Sequence, residues 1–131
     1  MKKTGLLNQP LSAVIAGMGH TDSLVIADAG LPIPAFVERI DLAVADGIPG
    51  FMEVLRATLG ELQVEHAVLA DEIKDRSPAL YAQILEALGA IPVSYVPHED
   101  FKALTGEAAA VVRTGEFTPY ANIILFSGVV F

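Results

Sequence analysis

Cysteine is missing from this 131-residue chain, and basic residues are scarce, 8 lysines and arginines against 16 aspartates and glutamates. Without cysteine there is no disulfide framework and no thiolate metal site. The net charge of −8 and the isoelectric point near 4.6 leave no basic footprint for nucleic acid or an anionic membrane. Long apolar runs are missing too. A membrane helix needs ~20 such residues, whereas Ile123-Ile124-Leu125-Phe126 has the length of a strand and runs into Ser127-Gly128. Lys2 and Lys3 before Leu6 and Leu7 imitate a secretory leader, but Asn8, Gln9 and Pro10 interrupt it. No signal peptide is expected, and the expected compartment is the cytoplasm.

Several chemical signatures are also absent. There is no Gly-x-Gly-x-x-Gly, no phosphate-binding P-loop and no Gly-x-Ser-x-Gly nucleophile elbow. Neither His-x-His nor His-x-x-x-His occurs, so a metal site would have to be assembled from distant residues. What the chain has in excess is apolar character: 53% of residues and a mean hydropathy of +0.51. One small domain cannot hide that much, so apolar interfaces between subunits are expected.

The apolar spacing sorts the chain into alternating elements. Leu11, Val14, Ile15 and Met18 form one helix face behind Pro10, and Gly17 or Gly19 ends it. Leu24 to Ala27 reads as a buried strand, and Ile40 to Val44 alternates as another. A helix follows from Phe51 to Leu59, then a strand from Leu62 to Leu69. Ser77-Pro78 reads as a cap and first turn for a helix that Gly89 stops. Strands over Val93–Val96, Ala109–Val112 and Ile123–Val130 complete the pattern, with a short helix opening at Pro97-His98-Glu99-Asp100. Such alternation defines the α/β class.

Ligands in open α/β sheets bind where strands end. Asp28 ends an apolar strand, and His20 precedes the same strand just past a helix end. An imidazole and a carboxylate on one pocket rim are the minimum for proton transfer without a cofactor. The plainer readings are a turn-capping aspartate and a helix-end histidine. His98, at a helix start, is expected to be neutral and hydrogen bonding. Tyr120 and Asn122 either satisfy loop backbone or bind hydroxyls. His66, inside a strand, reads as a surface residue.

Taken together these blocks are distinctive. Gly19-His20-Thr21-Asp22, Asp28-Ala29-Gly30-Leu31-Pro32-Ile33-Pro34, Arg39-Ile40-Asp41, Pro97-His98-Glu99, Thr114-Gly115-Glu116 and Pro119-Tyr120-Ala121-Asn122 resemble the ribose branch of the RbsD/FucU sugar mutarotase family. The resemblance runs end to end. It implies one three-layer α/β/α domain over residues 1–131 with a central, mostly parallel or mixed sheet. It implies an isomerase that interconverts pyranose and furanose forms of free D-ribose, supplying ribose uptake and phosphorylation, with no cofactor and no metal. It further implies ring-shaped homo-oligomers, a decamer of two stacked pentamers, with sites near subunit boundaries. His20 takes the role of proton donor, and Asp28, His98, Lys102, Tyr120, Ala121 and Asn122 contact the sugar.

Three other functions compete. One is a fucose-type mutarotase, although fucose enzymes of this family tend to lack Asp-Ala-Gly-Leu-Pro-Ile-Pro and the Pro-His-Glu histidine. Another is a non-catalytic sugar-binding accessory of a transport system. The third is a metal-dependent lyase or isomerase built on two histidines and Asp28.

Overall fold

The computed structural model describes residues 1–131. Six strands form one sheet: β1 (Ser23–Ala27), β2 (Glu38–Asp41), β3 (Val64–Ala70), β4 (Val93–Val96), β5 (Ala110–Arg113) and β6 (Ile123–Ser127). Their order is β2-β5-β1-β6-β3-β4. β1, β2 and β5 are mutually parallel, as are β3 and β4, and β6 runs antiparallel to both β1 and β3. Five strands therefore point one way and β6 alone points back. The sheet is mixed, within the expected class.

Alternation along the strands splits the sheet into two faces. Leu24, Ile26, Ala110, Val112, Ile123 and Leu125 enter the larger core, under helices α1 (Gln9–Gly17), α2 (Phe51–Leu59) and α4 (Pro78–Leu88). Val25, Ala27, Val111 and Ile124 enter a smaller core. That face is covered by Phe101 of α5 (His98–Leu104) and by Leu31 and Val37 of the loop after β1. These are the three layers. No helix is long and apolar enough to cross a membrane.

The helix ends follow the sequence with one exception. Asn8 caps α1 through its side chain, accepting from the Leu11 amide at 3.0 Å, and Gly89 leaves α4 at φ 58°, where a side chain would be strained. Ser77 does not cap α4. Its hydroxyl instead donates to the Pro119 carbonyl at 2.7 Å, tying the start of α4 to the loop before β6. Boundaries shift elsewhere. β2 spans Glu38–Asp41, earlier than the alternation at 40–44 suggests, because pairing with β5 ends at Asp41–Arg113. β6 stops at Ser127, beside the first residues of β1 and β3. A one-turn helix α3 (Ile73–Arg76) after β3 has no apolar repeat to announce it.

Candidate functional site

The C-terminal ends of the five parallel strands and the start of β6 share one sheet edge, and most of the chemistry gathers there. Asp28 follows β1, Arg113 ends β5, Glu72 follows β3, His98 follows β4, and Tyr120 to Asn122 lead into β6. Asn122 is fully buried. Its Oδ1 accepts the Asp28 amide at 2.9 Å, and its Nδ2 donates to Asp28 Oδ2 at 2.8 Å. Asp28 Oδ1 accepts from the Gly30 amide at 2.9 Å. The carboxylate is thus fixed in place with lone pairs to spare. It borders a cleft of about 400 Å³ shared with Ala29, Gly30, Arg113, Glu116 and Thr118, large enough for a small polar ligand.

His98 is positioned from both sides. Its backbone N–H donates to both oxygens of Glu72 at 3.0 Å. Its ring meets the Tyr120 ring edge-on at 5.0 Å and stacks over Phe101 at 6.3 Å. His98 Nδ1 is buried with no hydrogen-bond partner. A buried ring nitrogen without a partner costs free energy. Tyr120 itself has φ 62°, a region that a tyrosine enters only when its surroundings impose it. The turn closed by the Ala121 amide on the Thr118 carbonyl at 3.3 Å sets Tyr120 directly after Pro119 at its second central position, where a type II turn takes a positive φ.

Arg113 and Glu116 frame the cleft. The Arg113 guanidinium donates to the Ala29 carbonyl at 3.0 Å and to both Asp41 oxygens at 3.2 Å, joining the ends of β1, β2 and β5. Glu116 accepts from the Phe51 amide at the start of α2 at 3.1 Å and from the Thr118 hydroxyl at 2.7 Å. Partial burial pushes the Glu116 carboxyl up. Hydrogen bonds from Thr118 and from the Phe51, Thr118 and Phe117 amides outweigh that and hold it below the usual glutamate range.

Two of the expected contact residues have other partners. Lys102 lies one turn past His98 and pairs with Glu99 at 2.7 Å. Ala121 is fully buried in the larger core.

His20 is elsewhere. Its neighbour Thr21 donates to the Ser127 carbonyl, at the far end of β6 from Asn122. β1 runs from Ser23 to Ala27 between His20 and Asp28. At ~3.3 Å per strand residue, its two ends lie about 13 Å apart, with His20 and Asp28 beyond them on either side. The single pocket rim suggested by the sequence therefore does not form within one chain. His20 instead bonds Glu65 of β3, Nε2 to Oε2 at 2.9 Å. No three histidine, aspartate or glutamate side chains converge where a metal ion could be held.

Sequence reasoning missed Arg113, Glu72 and Glu65. The first two carried the signal that marked Asp28, a charged residue closing an apolar strand. Glu65 carried none, since nothing local links it to His20.

Residues 1–130 match the RbsD / FucU transport protein family, and the chain belongs to that family. It is 60% identical, over the full length of both chains, to the D-ribose pyranase of Coprothermobacter proteolyticus. Its fold matches Bacillus subtilis RbsD complexed with D-ribose, with a TM-score of 0.97, 46% identity and full coverage of both chains. The fucose mutarotase of Streptococcus pneumoniae in complex with L-fucose is more distant, with a TM-score of 0.78, 29% identity and 95% and 94% coverage.

Proposed function

We propose that this chain is a cofactor-independent isomerase that interconverts the pyranose and furanose forms of D-ribose. The observation that carries this reading is the Asn122-clamped Asp28 on the rim of a small polar cleft. A sugar offers several hydroxyls, each both donor and acceptor, and such an edge can hold them in fixed directions. The 60% identity to a D-ribose pyranase, against 29% to a fucose mutarotase, favours ribose.

Ring opening needs a proton removed from the anomeric hydroxyl and one delivered to the ring oxygen. Reclosure through a different hydroxyl changes the ring size. Acid–base assistance of this kind is worth ~10²–10⁴ in rate. Asp28 holds or deprotonates a hydroxyl. His98, Tyr120 and the backbone at Ala121 and Asn122 orient the rest, with Lys102 one turn away, while the Asn122 side chain acts through its grip on Asp28. His20 delivers the proton, the part that general acid–base catalysis most often gives to histidine.

One copy of the chain supplies His20 to the Asp28 edge of its neighbour, a reading supported by the position of the two residues at opposite ends of β1. Exposed apolar side chains support such assembly. Phe36, Phe117 and Val130 are 82%, 65% and 84% exposed, the kind of surface that subunit contacts cover. A decamer of two pentameric rings, acting in the cytoplasm on free ribose ahead of its phosphorylation, fits this arrangement.

Saturation-transfer NMR on D-ribose tests the reading directly. Pyranose–furanose exchange should accelerate with the protein and return to the spontaneous rate with His20→Ala. Wild-type exchange in that variant would sink the assignment. Acceleration with L-fucose but not with ribose would make the chain a fucose-type enzyme. Tight ribose binding with no acceleration would make it a sugar-binding accessory.

A further inference from the structure

The alternation of β3 breaks at a single place. Val64, Ala67 and Leu69 all enter the larger core, although residues 64 and 67 of a regular strand face opposite ways. The register against β6 slips between Val64 and His66. A bulge of this kind adds one residue to the strand and re-aims a side chain. The residue it releases is Glu65, which is exposed and reaches His20 at 2.9 Å. Gly128 closes over the bulge. Its amide donates to the Gln63 carbonyl at 2.9 Å, and a Cβ there would lie 3.0 Å from the Glu65 Cβ.

The His20 side is held as firmly. Thr21 has φ 70°, and its amide donates to the Ser127 carbonyl at 2.9 Å. The Asp22 carboxylate accepts the Gly19 amide at 2.7 Å, and the Ser127 amide donates to the Asp22 carbonyl at 2.8 Å. The backbone thus delivers both partners to one contact, an arrangement that packing does not require, because both side chains are about half exposed.

An ionised carboxylate only accepts hydrogen bonds, so the shared proton sits on His20 Nε2. In the neutral imidazole the free lone pair is then on Nδ1. We propose that Glu65 is a positioning residue for His20, fixing the Nε2–H tautomer and leaving Nδ1 to exchange the proton with the sugar. This deepens, and rests on, the assignment of His20 as proton donor. In opening, the Nδ1 proton of the imidazolium passes to the ring oxygen as the bond between C1 and that oxygen breaks. The anomeric hydroxyl gives its proton to a base and becomes the carbonyl oxygen. In reclosure, Nδ1 recovers a proton from the attacking hydroxyl as the new ring bond forms, and the base returns its proton to the carbonyl oxygen.

Glu65→Ala and Glu65→Gln test this in the full oligomer, with ribose exchange measured against ribose concentration. Glu65→Ala should keep the oligomer and the KM while kcat falls by about tenfold or more, a part of the ~10²–10⁴ that acid–base assistance supplies. Glu65→Gln keeps an acceptor for Nε2–H and should fall between it and wild type. Nitrogen-15 spectra of histidine-labelled protein, with the His20 signals assigned by their loss in His20→Ala, should show Nε2–H in wild type and a tautomer mixture in Glu65→Ala. Wild-type kcat and an unchanged tautomer in Glu65→Ala would overturn the role of Glu65. Undiminished exchange in His20→Ala would instead overturn the assignment of His20, so the two failures are distinguishable.

Discussion

The buried side chain of Asn122 grips Asp28 at both ends of its amide, accepting from the Asp28 backbone at 2.9 Å and donating to its carboxylate at 2.8 Å. Residues 94 positions apart are thereby locked where β1 ends and β6 begins. The carboxylate is held on the rim of the cleft it borders. Asn122→Ala should lower ribose affinity and destabilise the fold by about 1–3 kcal/mol, the cost of leaving buried polar groups unpaired. Calorimetric titration with ribose and denaturant unfolding would check both effects. Asn122→Asp should be worse for binding, since it sets a second carboxylate against the first.

His98 presents Nδ1 without a partner. His98→Phe keeps a ring edge-on to Tyr120 and stacked over Phe101 and removes both ring nitrogens. Ribose affinity should fall by about tenfold, as for one lost hydrogen bond of ~1.4 kcal/mol. Thermal stability should hold or rise. Unchanged affinity in a ribose titration would remove His98 from the site.

The Arg113 fork joins three strand ends. Lysine carries the charge but cannot make a planar, multi-donor contact. Arg113→Lys should therefore loosen the loops after β1 and β2 and weaken ribose binding, leaving the core intact. Hydrogen exchange at Ala29 and Gly30 would report the loosening.

Glu116 is the group most clearly set up for acid sensitivity. Its folded carboxyl lies below the usual range, as burial is outweighed by hydrogen bonds from Thr118 and the Phe51 amide. The sign follows from linkage: a depressed acid contributes stability that is fully present above its unfolded value and lost as pH falls through the folded one. Melting temperature should drop as pH falls from about 5 towards 3. In Glu116→Gln that drop should be smaller. Equal pH dependence in both proteins would show that Glu116 carries none of it.

The sequence by itself determined the α/β class, nearly every element, and the candidates closing apolar strands, because those signals are local. A doubly covered strand must be apolar throughout, as Leu24 to Ala27 is, and the polar residue that ends it stands out. Periodicity likewise marked α2 and α4, where burial follows the turn of the helix. The tertiary structure alone decided which of those residues meet. Asp28 and Asn122 touch because β6 enters the sheet beside β1 in the reverse direction, and no local pattern encodes that pairing. His20 and Asp28, only eight positions apart, were separated by the strand between them. Glu65 was brought to His20 by a bulge visible only once β3 is laid against β6. Strand length and direction set these distances, and both are properties of the whole sheet, decided by burial summed over all its strands.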